Sequence, residues 1–223
     1  MLFNLTEGVN MMKKLLLIFL LSFVLLAGCM GTPVRDAVKV DLSAPVGKIE
    51  GNQFVGIRYP FKISAPSSWK VAMEIPNFME SLGYEKDGLQ ESEVFVYNPS
   101  TQSNLQIDFV PAGRYAKFSQ ESIEWITEAA RGGFKEELEK DYGTGIRVEY
   151  APTTPYSLKG VPYAAKKYAT YTLQGVKREQ GWIYAFAEPY QIFILYMILE
   201  KEGSHDREEM KKSLDSFEAF SKK

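Results

Sequence analysis

One cysteine and one histidine stand in 223 residues, so the side chains able to act as nucleophile or base near neutral pH are few and easily placed. Cys29 closes the stretch KKLLLIFLLSFVLLAGC, and its thiolate is the strongest nucleophile the chain owns. His205 lies in EGSHDREE, a polar turn, where a solvated or helix-capping imidazole is the expected state. A Ser-His-Asp arrangement also requires a placed serine; Ser67 and Ser68 in APSSW belong to a turn, and no GxSxG is present. Glu121, Glu124 and Glu128 fall at helical spacing and could pair for acid–base work, but they lie off the apolar stripe of their segment and read as a solvated face. GTG at 143–145 lacks the preceding strand of a phosphate loop and reads as a helix stop. A single Cys and a single His cannot assemble a structural zinc site, and nothing in the sequence calls for a metal or a cofactor.

The elements that must position Cys29 explain its place. Lys13 and Lys14 precede an uncharged run from Leu15 to Ala27, thirteen residues against the roughly 20 needed to span a bilayer, and Ala27 and Gly28 are small. This is the order of a cleavable signal peptide. LAGC, Leu26 to Cys29, resembles the lipobox of bacterial lipoproteins. That resemblance implies a diacylglyceryl thioether on Cys29, cleavage after Gly28, and acylation of the new amino terminus. Each buried methylene adds about 0.8 kcal/mol, so two or three acyl chains anchor durably where one does not. Residues 1–28 are therefore read as signal peptide. Glu7 is foreign to a signal n-region, so translation is expected to start at Met11 or Met12.

Beyond the anchor, Gly31, Pro33, Pro45, Gly47 and Gly51 interrupt a segment without period, and residues 29–51 read as anchor and flexible tether, spanning about 25 Å. Residues 52–223 read as one globular domain. Its charge is nearly balanced and holds no basic block, which excludes nucleic acid as partner.

Within the domain, QFVGIRYP and FKISAP predict a first pair of strands, IPNFMESLGY a short helix, and EVFVYNP and NLQIDFVP a second pair. Ser119 is the expected N-cap of a long helix with Ile123, Ile126, Ala130, Phe134 and Leu138 on its apolar stripe, ending at Tyr142-Gly143. Four strand-like runs follow as a meander to Glu200. Asp206 and Glu209 form an acidic capping box for a last helix with Met210, Leu214, Phe217 and Phe220 inward. Ile192 to Leu199 is apolar at both parities, which predicts helices on both faces of the sheet. The expected class is α+β: a three-layer sandwich with one central antiparallel sheet of about six strands flanked by helices. Nine of the thirteen tyrosines fall between Tyr142 and Tyr196; sheet packing accounts for them, WIYAFA placing Trp182, Tyr184 and Phe186 on one face.

Three stretches, YPFKISAPSSWKV, LKGVPYAAKKYATY and LDSFEAF, together resemble the PsbP-like superfamily, which includes the photosystem extrinsic protein, a nuclear Ran-release factor and lipoproteins of the DcrB type. Each is a packing signature and none is catalytic, so the resemblance implies a fold used for binding or assembly and carries no functional residue across. The expectation is a lipid-anchored, non-enzymatic module of the bacterial cell envelope with an envelope protein as partner. An envelope hydrolase using paired carboxylates, or a carrier of a small apolar ligand, are the alternatives. Met30 stands where Asp would, by resemblance to enterobacterial lipoproteins, direct inner-membrane retention. The expected location is the outer membrane facing the periplasm in a two-membrane cell, and otherwise the outer face of the cell membrane.

Overall fold

The computed structural model describes residues 32–82, 84 and 93–220. Residues 32–36 and 113–116 form a small unit, in which the Val34 and Arg35 amides both donate to the Arg114 carbonyl at 2.8 and 3.3 Å. The main unit is built from the described residues within 37–112 and 117–220.

Twelve strands, two α-helices and one 3-10 turn make up the described elements, and the strands fall into two sheets. The smaller sheet has the order β1 (Gly47–Glu50), β2 (Gln53–Gly56), β3 (Phe61–Ser64), β12 (Glu218–Ala219). The larger has the order β4 (Lys70–Ala72), β5 (Val94–Tyr97), β6 (Asn104–Pro111), β11 (Tyr190–Glu200), β10 (Val176–Ala187), β9 (Tyr163–Leu173), β7 (Val148–Tyr150), with β8 (Thr154–Pro155) also on β9. All these strand pairings are antiparallel. The expected three-layer sandwich with a single six-stranded sheet between helices is thus overturned: the chain is mostly β, with sheets of four and eight strands. The reason lies in what parity encodes. Ile192, Ile194, Tyr196 and Ile198 are buried on one face of β11 and Met197 and Leu199 on the other, so both faces are covered as the pattern requires. Alternation states that a face is buried and is silent on whether a helix or a second sheet buries it. Here Phe54, Phe61 and Ile63 of β2 and β3, with Met210, Leu214 and Phe217 from the end of the chain, cover the first face.

The second face has two covers. Helix α1 (Gln120–Tyr142) lies over β9 and β10, where Ile123 packs with Ala165 and Phe186, and Leu138 with Tyr171 and Leu173. Its N-terminus is a reciprocal capping box between Ser119 and Ser122, and Gly143 ends it, its amide donating to the Glu139 carbonyl at 3.0 Å. Gly132 and Gly133 are accommodated inside it without a break. Over β5 and β11 the second cover comes from the segment that begins at Ile75 and includes a short 3-10 turn, Glu80–Leu82. Met79 and Leu82 both face the sheet, and a three-residue period keeps them eclipsed as an α-turn would not.

The three stretches that carry the family resemblance meet at one corner. β12 pairs with β3, the Ala219 amide donates to the Lys159 carbonyl at 2.9 Å, and Glu218 pairs with both Lys62 (3.0 Å) and Lys159 (2.9 Å). Phe61 stacks on Phe217 with 5.8 Å between centroids. Gly160 turns here with φ +77°, against the Ala219 carbonyl, where no Cβ fits. Strand β1 forms a hairpin with β2 around Gly51 and Asn52, so the first strand lies within the segment expected to be tether. Its exposed Lys48 and Glu50 hide the pattern, as on many edge strands.

Gly160→Ala is expected to cost roughly 2–4 kcal/mol, from an unfavourable positive φ together with overlap on a carbonyl. A thermal melt should place the variant about 5–10 °C below the parent protein.

Candidate functional site

Cys29 and Gly28 lie outside the described residues. The other residues singled out for chemistry lie within them, and the fold disperses them. His205 is the residue before helix α2 (Asp206–Asp215); it is exposed, and its Nδ1 lies 4.0 Å from Glu208. Ser67 and Ser68 sit exposed in the turn closed by the Trp69 amide on the Pro66 carbonyl. On α1, Glu121 is exposed, Glu124 accepts from Gln120 Nε2 at 2.9 Å, and Glu128 turns to β9.

Glu128 has a structural task. Lys167 is 3% exposed on β9, and its ammonium reaches Glu128 at 2.9 Å and the Ala151 carbonyl at 2.7 Å. Thr153 also donates to Glu128, at 2.6 Å. The Thr153 hydroxyl first, then Lys167, hold this carboxyl below its ordinary range. The triad fastens α1 to the sheet, and Trp182 Nε1 adds a bond to the Thr127 carbonyl at 2.8 Å.

The capping box expected from Asp206 and Glu209 is absent from α2, whose N-terminus receives no side-chain bond from the residue before it. Asp206 is instead 3% exposed and accepts from Asn98 Nδ2 (2.8 Å) and Ser103 Oγ (2.7 Å), while Ser103 Oγ accepts from the Leu199 amide (3.0 Å). The carboxylate is turned inward because two donors in the β5–β6 connection, half-buried Asn98 and buried Ser103, need it. Near the start of the chain, Arg58 binds the Leu42 and Ala44 carbonyls (both 3.1 Å) and pairs with buried Glu93 at 3.5 Å. Desolvation raises the Glu93 carboxyl against the opposing pull of Arg58.

A network of ionisable groups lies on the first face of the large sheet and joins residues that sequence reasoning did not single out. Glu179 is 3% exposed; it accepts from the Tyr196 hydroxyl at 2.9 Å and pairs with Arg207 of α2. Arg207 continues to Glu200 (2.8 Å), which also holds Lys177 (2.9 Å). Beside them the Lys166 ammonium is caged by three rings, with centroids at 4.8 Å (Tyr196), 5.5 Å (Tyr156) and 5.9 Å (Tyr168). The register explains the cage. Gly181 of β10 stands between Tyr168 and Tyr196, and its missing side chain leaves the space into which the Tyr196 ring lies.

Burial lowers the Lys166 ammonium from its ordinary value, and burial raises the Tyr156 phenol to about 12. Tyr196 is pushed up by desolvation and then by the charge of Glu179, so at neutral pH it is a hydrogen-bond donor and no base. The arrangement holds a cation between aromatic faces and locks α2 to the sheet. Lys166-Lys167 in a strand of otherwise small and aromatic residues is the visible signal for it; the hairpin turn at Gln174-Gly175 then sets Glu179 and Gly181 against β9.

No protein-family model matches this chain, and no curated protein matches it in sequence. Similarity to solved structures is found. PsbP from the cyanobacterium Synechocystis (CyanoP) is 9% identical over 79% of this chain and 100% of its own, with a TM-score of 0.50. A protein from Bacteroides thetaiotaomicron is 15% identical over 78% of this chain and 50% of its own, with a TM-score of 0.45. LpqN, described as involved in cell envelope biogenesis of Mycobacterium tuberculosis, is 10% identical over 72% of this chain and 83% of its own, with a TM-score of 0.47. The first shows that the fold is PsbP-like.

Two outcomes follow from the ion pairs. Glu179→Ala leaves the buried Tyr196 hydroxyl without its acceptor and Arg207 with Glu200 alone, and should cost roughly 2–3 kcal/mol, half-exposed Arg207 being partly rehydrated; urea unfolding measures it. Glu128→Gln should cost on the order of 1 kcal/mol at pH 7. Because the folded carboxyl titrates below its unfolded value, that stabilisation is present above about pH 4.3 and fades as pH falls through the folded pKa, so the two unfolding curves should converge in acid.

Proposed function

We propose that this chain is a lipid-anchored, non-enzymatic binding or assembly module of the bacterial cell envelope. The observation that carries the reading is LAGC at Leu26–Cys29, directly behind the apolar run and two lysines. Diacylglyceryl transfer from a glycerophospholipid to the Cys29 thiolate forms a thioether as the phosphorylated head group leaves, hydrolysis of the Gly28–Cys29 peptide bond frees the amine, and two acyl chains, or three once a second lipid acylates that amine, hold the protein at the membrane. The residues that follow Cys29 then act as tether, keeping the folded unit within a short radius of the bilayer and raising its effective concentration for an envelope protein partner. The PsbP-like fold supports a binding role through its architecture alone. The absorption of Glu128 into the Lys167 pair and of Glu124 into a bond with Gln120 supports that role over a carboxylate hydrolase. Met30 after the anchor favours the outer membrane in a two-membrane cell; in a one-membrane cell the same chain sits on the outer leaflet.

Expression of the full chain in a bacterium with an alkyne-bearing fatty acid, followed by intact-mass measurement, tests this. The wild type should fractionate with membranes, incorporate the label, and begin at a Cys29 bearing acyl chains. C29S should incorporate no label and keep residues before position 29. A bare Cys29 in an uncleaved cytosolic chain, or equal labelling of C29S, refutes the anchor.

A further inference from the structure

Among the described residues, buried charge is compensated with one exception. Lys167 has Glu128, Glu179 has Arg207, Glu93 has Arg58, and Asp206 accepts two side-chain hydrogen bonds. Arg178 of β10 is 6% exposed, yet its Nε and Nη1 have no hydrogen-bond partner, which leaves three of its five N–H groups unused. No ion pair joins it to a carboxylate among the described residues. A guanidinium stays charged at any physiological pH, so it cannot escape the cost of burial by losing its proton.

The residues around it are neutral and largely apolar. In register Arg178 stands between Tyr171 of β9 and Leu199 of β11. The Tyr171 hydroxyl is within hydrogen-bonding reach of the guanidinium and donates to Gln180 Oε1 at 2.8 Å, and the Tyr84 hydroxyl, also under the field of Arg178, is directed to Asn104 at 3.3 Å. These neighbours are neutral, and burial keeps both phenols protonated. Leu82 packs on Leu199 from one side and Leu138 on Tyr171 from the other. At the seam between these two covers the Tyr142 hydroxyl, at the end of α1, donates to the Leu82 carbonyl at 3.3 Å.

We propose that Arg178 anchors a buried site for an oxyanion, carboxylate or phosphate, which enters between the end of α1 and the Glu80–Leu82 turn and completes the two unpartnered guanidinium nitrogens. The planar fork suits either group, and the leucine walls suit a ligand with hydrocarbon beside its charge. The site is independent of the lipid anchor and stands or falls without it.

The test is thermal melting of the full chain in nanodiscs, in chloride buffer, titrated separately with hexanoate and with inorganic phosphate. For the wild type, a hundredfold excess over the dissociation constant should raise the midpoint by about 5 °C or more. A response to hexanoate alone assigns a carboxylate on an apolar chain, and a response to phosphate assigns the inorganic ion or its esters. R178M should melt no lower than the wild type without ligand, because it removes an uncompensated charge, and should lose the response. If R178M does not fold, R178K is titrated in its place: it keeps the charge without the fork, and affinity should fall at least tenfold. No shift of the wild type with either probe, a shift that persists in R178M, or undiminished affinity in R178K overturns the proposal.

Discussion

The constraint from which most of this architecture follows is that strand β11 is apolar toward both faces of the large sheet. Ile194 and Ile198 on one side and Met197 and Leu199 on the other are all nearly inaccessible to water. At about 25 cal/mol per Å² of apolar surface, neither face can be left open in a domain of this size. Two independent covers must therefore be found within one chain. The first comes from both ends of the main unit, β1 to β3 and α2 with β12, which obliges distant segments to meet. The second comes from its middle, as α1 and the Ile75–Tyr84 segment.

Bringing strands and helices together over an eight-stranded sheet leaves polar groups trapped at the junctions, and the protein meets that cost by pairing. Lys167 with Glu128 fixes α1, Arg207 with Glu179 fixes α2, and Asp206 satisfies Asn98 and Ser103 where α2 begins. Each pair sits where a helix crosses the sheet, so these charges act as positional pins more than as sources of net stability. The caged Lys166 belongs to the same system. Against that regularity the uncompensated Arg178 stands out, because burial without pairing has no structural return.

Much of the order of elements is legible in the sequence, for identifiable reasons. Ser119 begins α1 and Gly143 ends it because caps are local chemistry, and WIYAFA puts Trp182, Tyr184 and Phe186 on one face because side chains alternate along any strand. The meander from Tyr163 to Glu200 is readable from the turns at Gln174-Gly175 and Glu188-Pro189. The readings that failed are those that needed a partner to be known. Parity at β11 predicted burial and left the covering element open, and an acidic pair at Asp206 and Glu209 has the spacing of a capping box whether or not the first carboxylate has a better use. Ile75–Tyr84 carries enough apolar residues for a helix, and its approach to the sheet turned it into a 3-10 turn.

From the amino-acid sequence alone come the apolar run that ends in LAGC, the limits of α1, the strands of the meander, and the scarcity of catalytic side chains, since each depends on residue type and spacing within about one turn or one hairpin. Only the tertiary structure decides that the strands divide into two sheets and that Gly160 turns against Ala219. It alone brings Glu179, Tyr196, Arg207 and Lys166 together and leaves Arg178 buried without a counter-charge among the described residues. Those facts depend on contacts between segments far apart in the chain, whose free energy is set by shape and desolvation at the place where they meet, and no local pattern encodes that place.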